Sequence, residues 1–376
     1  PPRSTLFPYT TLFRSTDNPE LEEAEEPDIL IMGGHHANEL PSVEVPMFIL
    51  KHILENYETD SGIRSLVDSN DIWFVPLVNP DGREYSMSTD PAWRKNRRPT
   101  DGGVGVDLNR NYGHLWGQQP GANHDPASST YCGPSAFSEN ETMAIKNLAE
   151  TVGFSISLSY HTYGQVIYYP WNNGIDTASP SGHILEAIAK DLGRFTGYTP
   201  MQGIDAYPTT GDSDDWLYAD AGCLPFTIEL GTQFVPPPDQ LESLCRKNLG
   251  AALHAIGLAA EPESALLPDW TVMTYVSSDA DIGLANEAFI DINEMESAGS
   301  TDDVKIIALY DGMATGDSKL YRIEKDPGGV NAGIISSILD DGGAIIPATD
   351  ELDMSDPVVL RNFVNWTMAN YPARQY

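Results

Sequence analysis

The chain has 376 residues, which suggests two or more domains, and 41% of them are apolar, enough for a sizeable core. Lys and Arg number 21 against 55 Asp and Glu, a net charge of -34, and this argues against nucleic acid as a partner because phosphates need basic groups. No apolar run is long enough to span a bilayer. Cys132, Cys223 and Cys245 form no CxxC pair, so at most one disulfide is possible and a cysteine zinc site is not indicated.

In chain order, Pro1–Ser15 comes first. It repeats Thr-Leu-Phe at Thr5–Phe7 and Thr11–Phe13 and lacks the apolar region of a signal peptide. It reads as a non-native arm, such as a translated adapter remnant, or as a disordered one, and no function is expected of it. An acidic loop follows over Asp17–Pro27. "PDILIMGG" is a short apolar run ending in glycines, the pattern of a buried strand. Ser42 is placed to cap a helix over Ser42–Tyr57, with Val45, Phe48, Ile49 and Ile53 on one face. "DIWFVPLVNPDG" predicts a second strand closed by a turn at Asn79–Gly82. Ser138 and Glu141 form a capping-box pattern ahead of a helix. "GFSISLSYHTYG" predicts a strand with His161 near its end, and a helix follows at Ser181–Thr196. "LPFTIEL" predicts a strand carrying Glu229, and a helix runs from the proline-rich "PPPDQ" to about Ala259.

Strands alternating with helices argue for a layered α/β domain with a largely parallel sheet. Polar residues gather at the strand ends, where such sheets place ligands. After a proline-containing linker at Glu261–Pro268, a second α/β pattern begins with strand "DWTVMTYVSS", helix "LANEAFIDINEMESAG" and strand "DDVKIIALYDG". It continues through "NAGIISSILDDGG" and closes on a helix for which Asp356 is the expected cap, with Val359, Phe363, Val364 and Met368 along it.

The stretch "GGHHANELPS" holds the first chemical signal. His36 and Glu39 are three apart, and His35 and Glu39 are four apart, so either pair can share one side of a turn. A catalytic zinc takes three protein ligands and keeps one open position. The pair alone therefore leaves the choice of histidine open and needs a third donor elsewhere.

Four further segments bear on that choice: "AWRKNRR" with Arg94, "VGVDLNRNYG" with Asn109 and Arg110, "SYHTYGQ" with His161, and "AYPTTGDSDDW…FTIEL" with Tyr207 and Glu229. With His36-Ala-Asn-Glu39 they resemble, in order and near spacing, the zinc carboxypeptidases of the A/B/T kind (peptidase M14). The resemblance covers about Pro27–Ala259. It implies an α/β/α domain around a mixed, mostly parallel sheet, and one zinc ion per chain held by His36, Glu39 and His161. His35 is then a packed neighbour, and Asp107 accepts a hydrogen bond from a ligand histidine, fixing its tautomer. Glu229 is implied as general base and Arg94 as the stabiliser of the oxyanion. Arg110, with Asn109, is implied to hold the substrate's C-terminal carboxylate through a bidentate fork, and Tyr207 to close over the bound residue. Asp214, seven positions after Tyr207, falls where the family's specificity pocket has its floor. An aspartate there suits lysine and arginine and leaves a weaker activity on apolar residues. The partners implied are peptide or protein C-termini, with no nucleic acid and no membrane, in an extracellular setting; no oligomeric state is specified.

The sequence departs from the family in two places. Asn38 stands where many members carry arginine, which bears on contacts upstream of the cleaved bond. Thr16–Pro27 do not supply the helix and strands usual before the zinc histidine, so the sheet is expected to lack its front strands. The resulting division is an arm at 1–15, a truncated carboxypeptidase domain at 16–260, a linker at 261–268, and a last segment at 269–376. That segment, with "NEMESAGSTD" and its "NW…NYP" stretch, resembles the front part of the clostripain-like cysteine peptidases, which have a caspase-like α/β fold. It contains no histidine and no cysteine. Two other functions fit parts of the pattern. One is a murein-peptide hydrolase acting on γ-D-glutamyl-diamino acid bonds. The other is a non-catalytic peptide-binding module, against which the retention of Glu229 argues.

Overall fold

The computed structural model describes residues 12–17, 26–176, 179–278, 282–329, 333–347 and 352–375. The chain divides into two compact units, Pro1–Ala265 and Leu266–Tyr376. In the first unit, β1 (Phe13–Ser15), β2 (Asp28–Gly33), α1 (Leu40–Asn56), α2 (Ser61–Val67), β3 (Asp71–Val75) and α3 (Pro80–Ser88) come first. A small hairpin of β4 (Pro99–Thr100) and β5 (Gly103–Val104) leads to a 3-10 turn at Leu108–Arg110. Then follow α4 (Asn140–Val152), β6 (Ile156–Thr162), β7 (Val166–Tyr169), α5 (Gly182–Thr196), β8 (Thr199–Gln202), α6 (Ser213–Ala219), β9 (Leu224–Leu230) and α7 (Pro238–Leu258).

The sheet order is β1-β3-β2-β6-β9-β7-β8. β3, β2, β6 and β9 run parallel, whereas β1 and β7 pair antiparallel to their neighbours β3 and β9. Side chains alternate across a strand, and β2 shows the consequence. Ile29 and Ile31 join a core with Ile49 of α1, Leu185 of α5 and Ile256 of α7. Leu30 and Met32 face the opposite layer, with Leu148 of α4 and Leu217 of α6. This is the mixed, mostly parallel sheet between helical layers that the sequence predicts.

Several local expectations are corrected. Residues 13–15 of the supposed arm form the edge strand β1, held by Arg14, whose guanidinium pairs with Asp71 at 2.5 Å. The described sheet therefore continues one strand past β3, where front strands were expected to be missing. Helix α1 begins before Ser42, with Glu39 at its N-cap position. Ser42 Oγ instead donates to the Glu39 carbonyl at 2.6 Å and accepts from Gly34 N at 3.2 Å, pinning the helix to the end of β2. The approach is close enough that a Cβ on Gly33 would stand 1.8 Å from the Ser42 carbonyl oxygen, so only glycine fits there. Asn79 does not close a simple turn; it caps α3 by accepting from Gly82 N at 3.0 Å. The capping box is absent because Ser138 Oγ donates to Glu139 Oε1 at 2.7 Å, and α4 starts at Asn140 without a side-chain cap. The expected linker contains a 3-10 helix, Pro262–Leu266.

In the second unit, β10 (Trp270–Ser277), α8 (Ile282–Ala298) and β11 (Val304–Asp311) form a parallel crossover, and β12 (Lys319–Arg322) and β13 (Ser337–Ile338) extend the sheet antiparallel. Ile307 and Leu309 pack with Phe363 of α9 (Pro357–Asn370), while Ala308 meets Ile292 of α8 on the other face. Asp356 caps α9 as expected, accepting from Val358 N at 2.8 Å. Residues 330–332, which include the first two of the "NAGIISS" stretch, lie outside the described residues. Among the described residues no helix is long and apolar enough to cross a membrane.

Candidate active site

The C-terminal ends of three adjacent parallel strands, β2, β6 and β9, bring the chemistry together. Past Gly33 the chain turns through His35 and His36 before entering α1, which puts Glu39 three residues from His36 at the helix start. His161 is next to last in β6, and its register partner in β9 is Glu229. Parallel pairing thus delivers two residues that are 68 positions apart to one edge, which no local spacing rule reveals.

His36 Nδ1 lies 2.8 Å from Glu39 Oε1, and His161 Nδ1 lies 3.1 Å from His36 Nδ1 and 3.2 Å from Glu39 Oε2. All three residues are buried. Two ring nitrogens and a carboxylate aimed at one point form a donor set that a single proton cannot satisfy, whereas a dication can. Bonds of about 2.0–2.1 Å to a tetrahedral zinc would separate its donors by about 3.3 Å, so the set fits with a small outward adjustment. The two histidines differ in direction. His35 Nε2 instead faces the Tyr112 hydroxyl at 2.8 Å, and His35 is absent from the donor cluster.

Asp107 anchors the cluster. Its Oδ1 lies 3.1 Å from His36 Nε2 and accepts Asn109 N at 3.0 Å, and its Oδ2 accepts Arg94 Nε and Nη2 at 3.0 and 2.9 Å. Arg94 Nη1 remains 3.8 Å from Glu39 Oε1. Burial alone would raise both carboxylates, but the cations prevail: Asp107 is held well below the usual range by Arg94 and His36, and Glu39 is lowered by His36 and His161. Glu229 goes the other way. Burial and the neighbouring Glu39 push it up to about 8, against His36, Arg94 and Arg110.

Beside this cluster lies a pocket open to solvent. Asn109, Arg110, Tyr207, Asp214 and Glu229 all line it. Arg110 is buried and donates from Nη1 to the Asn109 carbonyl at 2.6 Å. Asn109 Oδ1 accepts Ser213 N at 2.9 Å, which ties the 3-10 turn to α6 and leaves its Nδ2 as the group able to face a ligand. Tyr207 is 56% exposed on the open side. The acidic "GDSDDW" is not a loop. Asp212 caps α6, and Asp214 sits in its first turn, buried, with neither carboxylate oxygen hydrogen-bonded among the described residues. Burial and the nearby Asp212 push Asp214 up to about 7, with Thr227, Asn172 and Ser213 opposing the shift.

The zinc carboxypeptidase family model matches residues 11–251. The chain belongs to that family. Carboxypeptidase O of Bos taurus is 34% identical over 239 residues, covering 59% of this chain and 63% of that protein. Carboxypeptidase B of Rattus norvegicus is 32% identical over 254 residues, 63% of this chain and 60% of its own. The chain thus spans about three-fifths of the length of these relatives. Among solved structures, thrombin activatable fibrinolysis inhibitor superposes with a TM-score of 0.62 at 25% identity, covering 67% of this chain and 66% of that one. Carboxypeptidase A from Helicoverpa armigera gives 0.61 at 25% identity, with the same coverage of both chains.

Sequence reasoning missed other pocket residues of this family member. Tyr168, Asn172, Gly203 and Asp212 also line the pocket. Asn172 Nδ2 donates to Asp212 Oδ1 at 2.8 Å, and Thr209 Oγ1 to Asp212 Oδ2 at 2.7 Å. Gly203 is needed because a Cβ there would meet Asn172 Oδ1 at 1.7 Å. None of these residues carries a spacing signal. They come from short strand ends and turns that only the tertiary fold aligns.

Proposed function

We propose that the chain is a metallocarboxypeptidase that removes C-terminal residues from peptides, with a preference for lysine and arginine. The observation that carries this reading is a three-donor metal cluster beside a pocket that offers Arg110 for a carboxylate and an unpaired, buried Asp214 for a cation. Zinc bound by His36, Glu39 and His161 supplies a Lewis acid that polarises a carbonyl and acidifies water. Arg110 and Asn109 hold the terminal carboxylate by charge-assisted hydrogen bonds. Glu229 takes a proton from water and returns it to the leaving nitrogen. Arg94, tied to Asp107 through Nε and Nη2, turns its remaining Nη1 toward the charge that develops on the scissile carbonyl oxygen. Asp107 keeps His36 in the tautomer that leaves Nδ1 free to bind metal. Tyr207 covers the bound residue.

The experiment is release of free arginine from a peptide by the zinc-loaded chain, compared with the same peptide amidated at its C-terminus. Release from the free form alone, abolished by chelation, is the expected result. Equal cleavage of both would contradict an exopeptidase.

We further propose that 269–376 is a clostripain-like portion without thiol chemistry, a reading supported by the absence of histidine and cysteine in it. Thiol-dependent cleavage by the chelated chain would contradict it. Extracellular localisation is part of the same proposal, and export from the source cells tests it.

A further inference from the structure

We propose that His35 is a positioning residue for His161, setting the plane of that ring so that Nδ1 points at the metal. This rests on the reading of His161 as a zinc ligand. A metal-bound histidine ordinarily donates its second ring nitrogen to a carboxylate, carbonyl or water, which fixes the ring. His36 has such a partner in Asp107. His161 does not: its Nε2 is buried and has no hydrogen-bond partner among the described residues. A packing contact can limit rotation of the ring about its last torsion, which is broad for an imidazole.

His35 supplies that contact. Its ring stacks on His161 with centroids 5.3 Å apart and planes 20° from parallel, an offset face-to-face arrangement that a rotated His161 would lose. His35 is itself completely buried and fixed at both ends. Its carbonyl accepts Asn79 Nδ2 at 3.0 Å, and its Nε2 faces the Tyr112 hydroxyl at 2.8 Å. Tyr112 is wedged in turn between Phe137 and Trp216, each with centroids 5.8 Å away, and its N–H donates to the Gly211 carbonyl at 2.8 Å. The stack therefore runs from the ligand ring to Trp216 on α6, the helix that carries Asp214. An aliphatic side chain at 35 would fill the space but leave His161 free to tilt.

The test uses the full chain and measures zinc retention by competition with a chromophoric chelator. The visible spectrum of the cobalt-substituted protein reports ligand geometry directly. His35→Leu is expected to weaken zinc binding by about 10–100-fold, the size usual for loss of a ligand's outer partner, and to shift the cobalt bands. His35→Phe, which keeps a flat ring, is expected to retain zinc within about threefold of wild type, and Tyr112→Phe to fall between the two. Unchanged affinity and spectrum in His35→Leu would overturn the proposal, as would equal losses in His35→Leu and His35→Phe. Should His35→Leu not fold, Tyr112→Phe decides: a wild-type cobalt spectrum in that variant overturns the proposal, and a shifted one supports it. His161→Ala is the control. If it retains stoichiometric zinc, the ligand reading itself fails; if it loses zinc while His35→Leu does not, only this inference fails.

Discussion

The three-donor cluster and the pocket proposed to set specificity lie side by side, and both hold buried carboxylates, yet their electrostatics are opposite. Around the cluster, Glu39 and Asp107 are matched by His36, His161 and Arg94, and their pKa values are driven down. On the pocket side, Asp214 is pushed up to about 7 and its α6 neighbour Asp215 up to about 8, in both by burial first and Asp212 second. A carboxylate whose charge is already balanced is part of a scaffold. One that is buried without a cation carries a desolvation cost of about 1–3 kcal/mol or more, which a cationic ligand would relieve. The same residue type thus marks a built metal shell on one side and an unmet demand for positive charge on the other.

The largest effect that can break this comparison is at Glu229. Glu229→Gln keeps the shape and removes the basicity, so kcat should fall by about 10²–10⁴-fold with KM little changed. A loss of only a few-fold would assign proton transfer to another group. Next comes Arg110→Ala, which removes charge-assisted hydrogen bonds worth about 1.5–3 kcal/mol each. Discrimination between free and amidated C-termini should drop by about 10–100-fold, and an equal loss on both substrates would remove the carboxylate role. A smaller effect is expected with pH. Below about 7 Asp214 is protonated and neutral; above it the carboxylate is charged. The ratio of kcat/KM for arginine-ending over leucine-ending peptides should therefore rise as pH passes from 6 to 8 by about tenfold at most per unit of pH. Taking the ratio cancels titrations shared by both substrates, Glu229 among them. A flat ratio would break the electrostatic contrast. The smallest effect concerns stability. Raised carboxylates bind protons in the folded state that the unfolded chain has already lost, so their contribution is favourable at low pH and declines between the unfolded value near 4 and about 8. Asp214→Asn should make the metal-free protein's melting temperature fall less as pH rises from about 4 to about 7. An unaltered pH dependence would argue that Asp214 titrates normally.

The sequence carried the alternation of strands and helices well, because β2, β6 and β9 are short apolar runs bounded by glycine and polar ends. It also carried the site residues as a set, since His36, Glu39, His161, Arg94, Asn109, Arg110, Tyr207 and Glu229 lie in motifs whose order and spacing resemble one family. It did not carry the partners that hold those motifs in place. The stack of His35 on His161 joins residues 126 positions apart, and "HH" alone cannot say which ring turns inward. The short strands β7 and β8 were illegible because "VIYY" and "TPMQ" have neither the length nor the alternation of an isolated strand signal. Ser138 failed as a cap because a nearer acceptor, Glu139, takes its hydroxyl. The place of Asp214 in the pocket follows from its spacing after Tyr207 in the family pattern; its burial without a hydrogen-bonded partner among the described residues is a property of the packed helix α6 and is not legible in "GDSDDW".

Whether Asp214 pairs with a cationic side chain is read most directly from kcat/KM for matched peptides ending in arginine and in leucine. These are measured at pH 8 for the wild type and for Asp214→Ala, both loaded with zinc. The wild type should prefer arginine, and Asp214→Ala should lower the arginine-to-leucine ratio by about 10-fold or more, as expected for loss of a charge-assisted contact. Activity on leucine should be kept or improved. An arginine-to-leucine ratio unchanged by the substitution would contradict that pairing and assign specificity to another residue of the pocket.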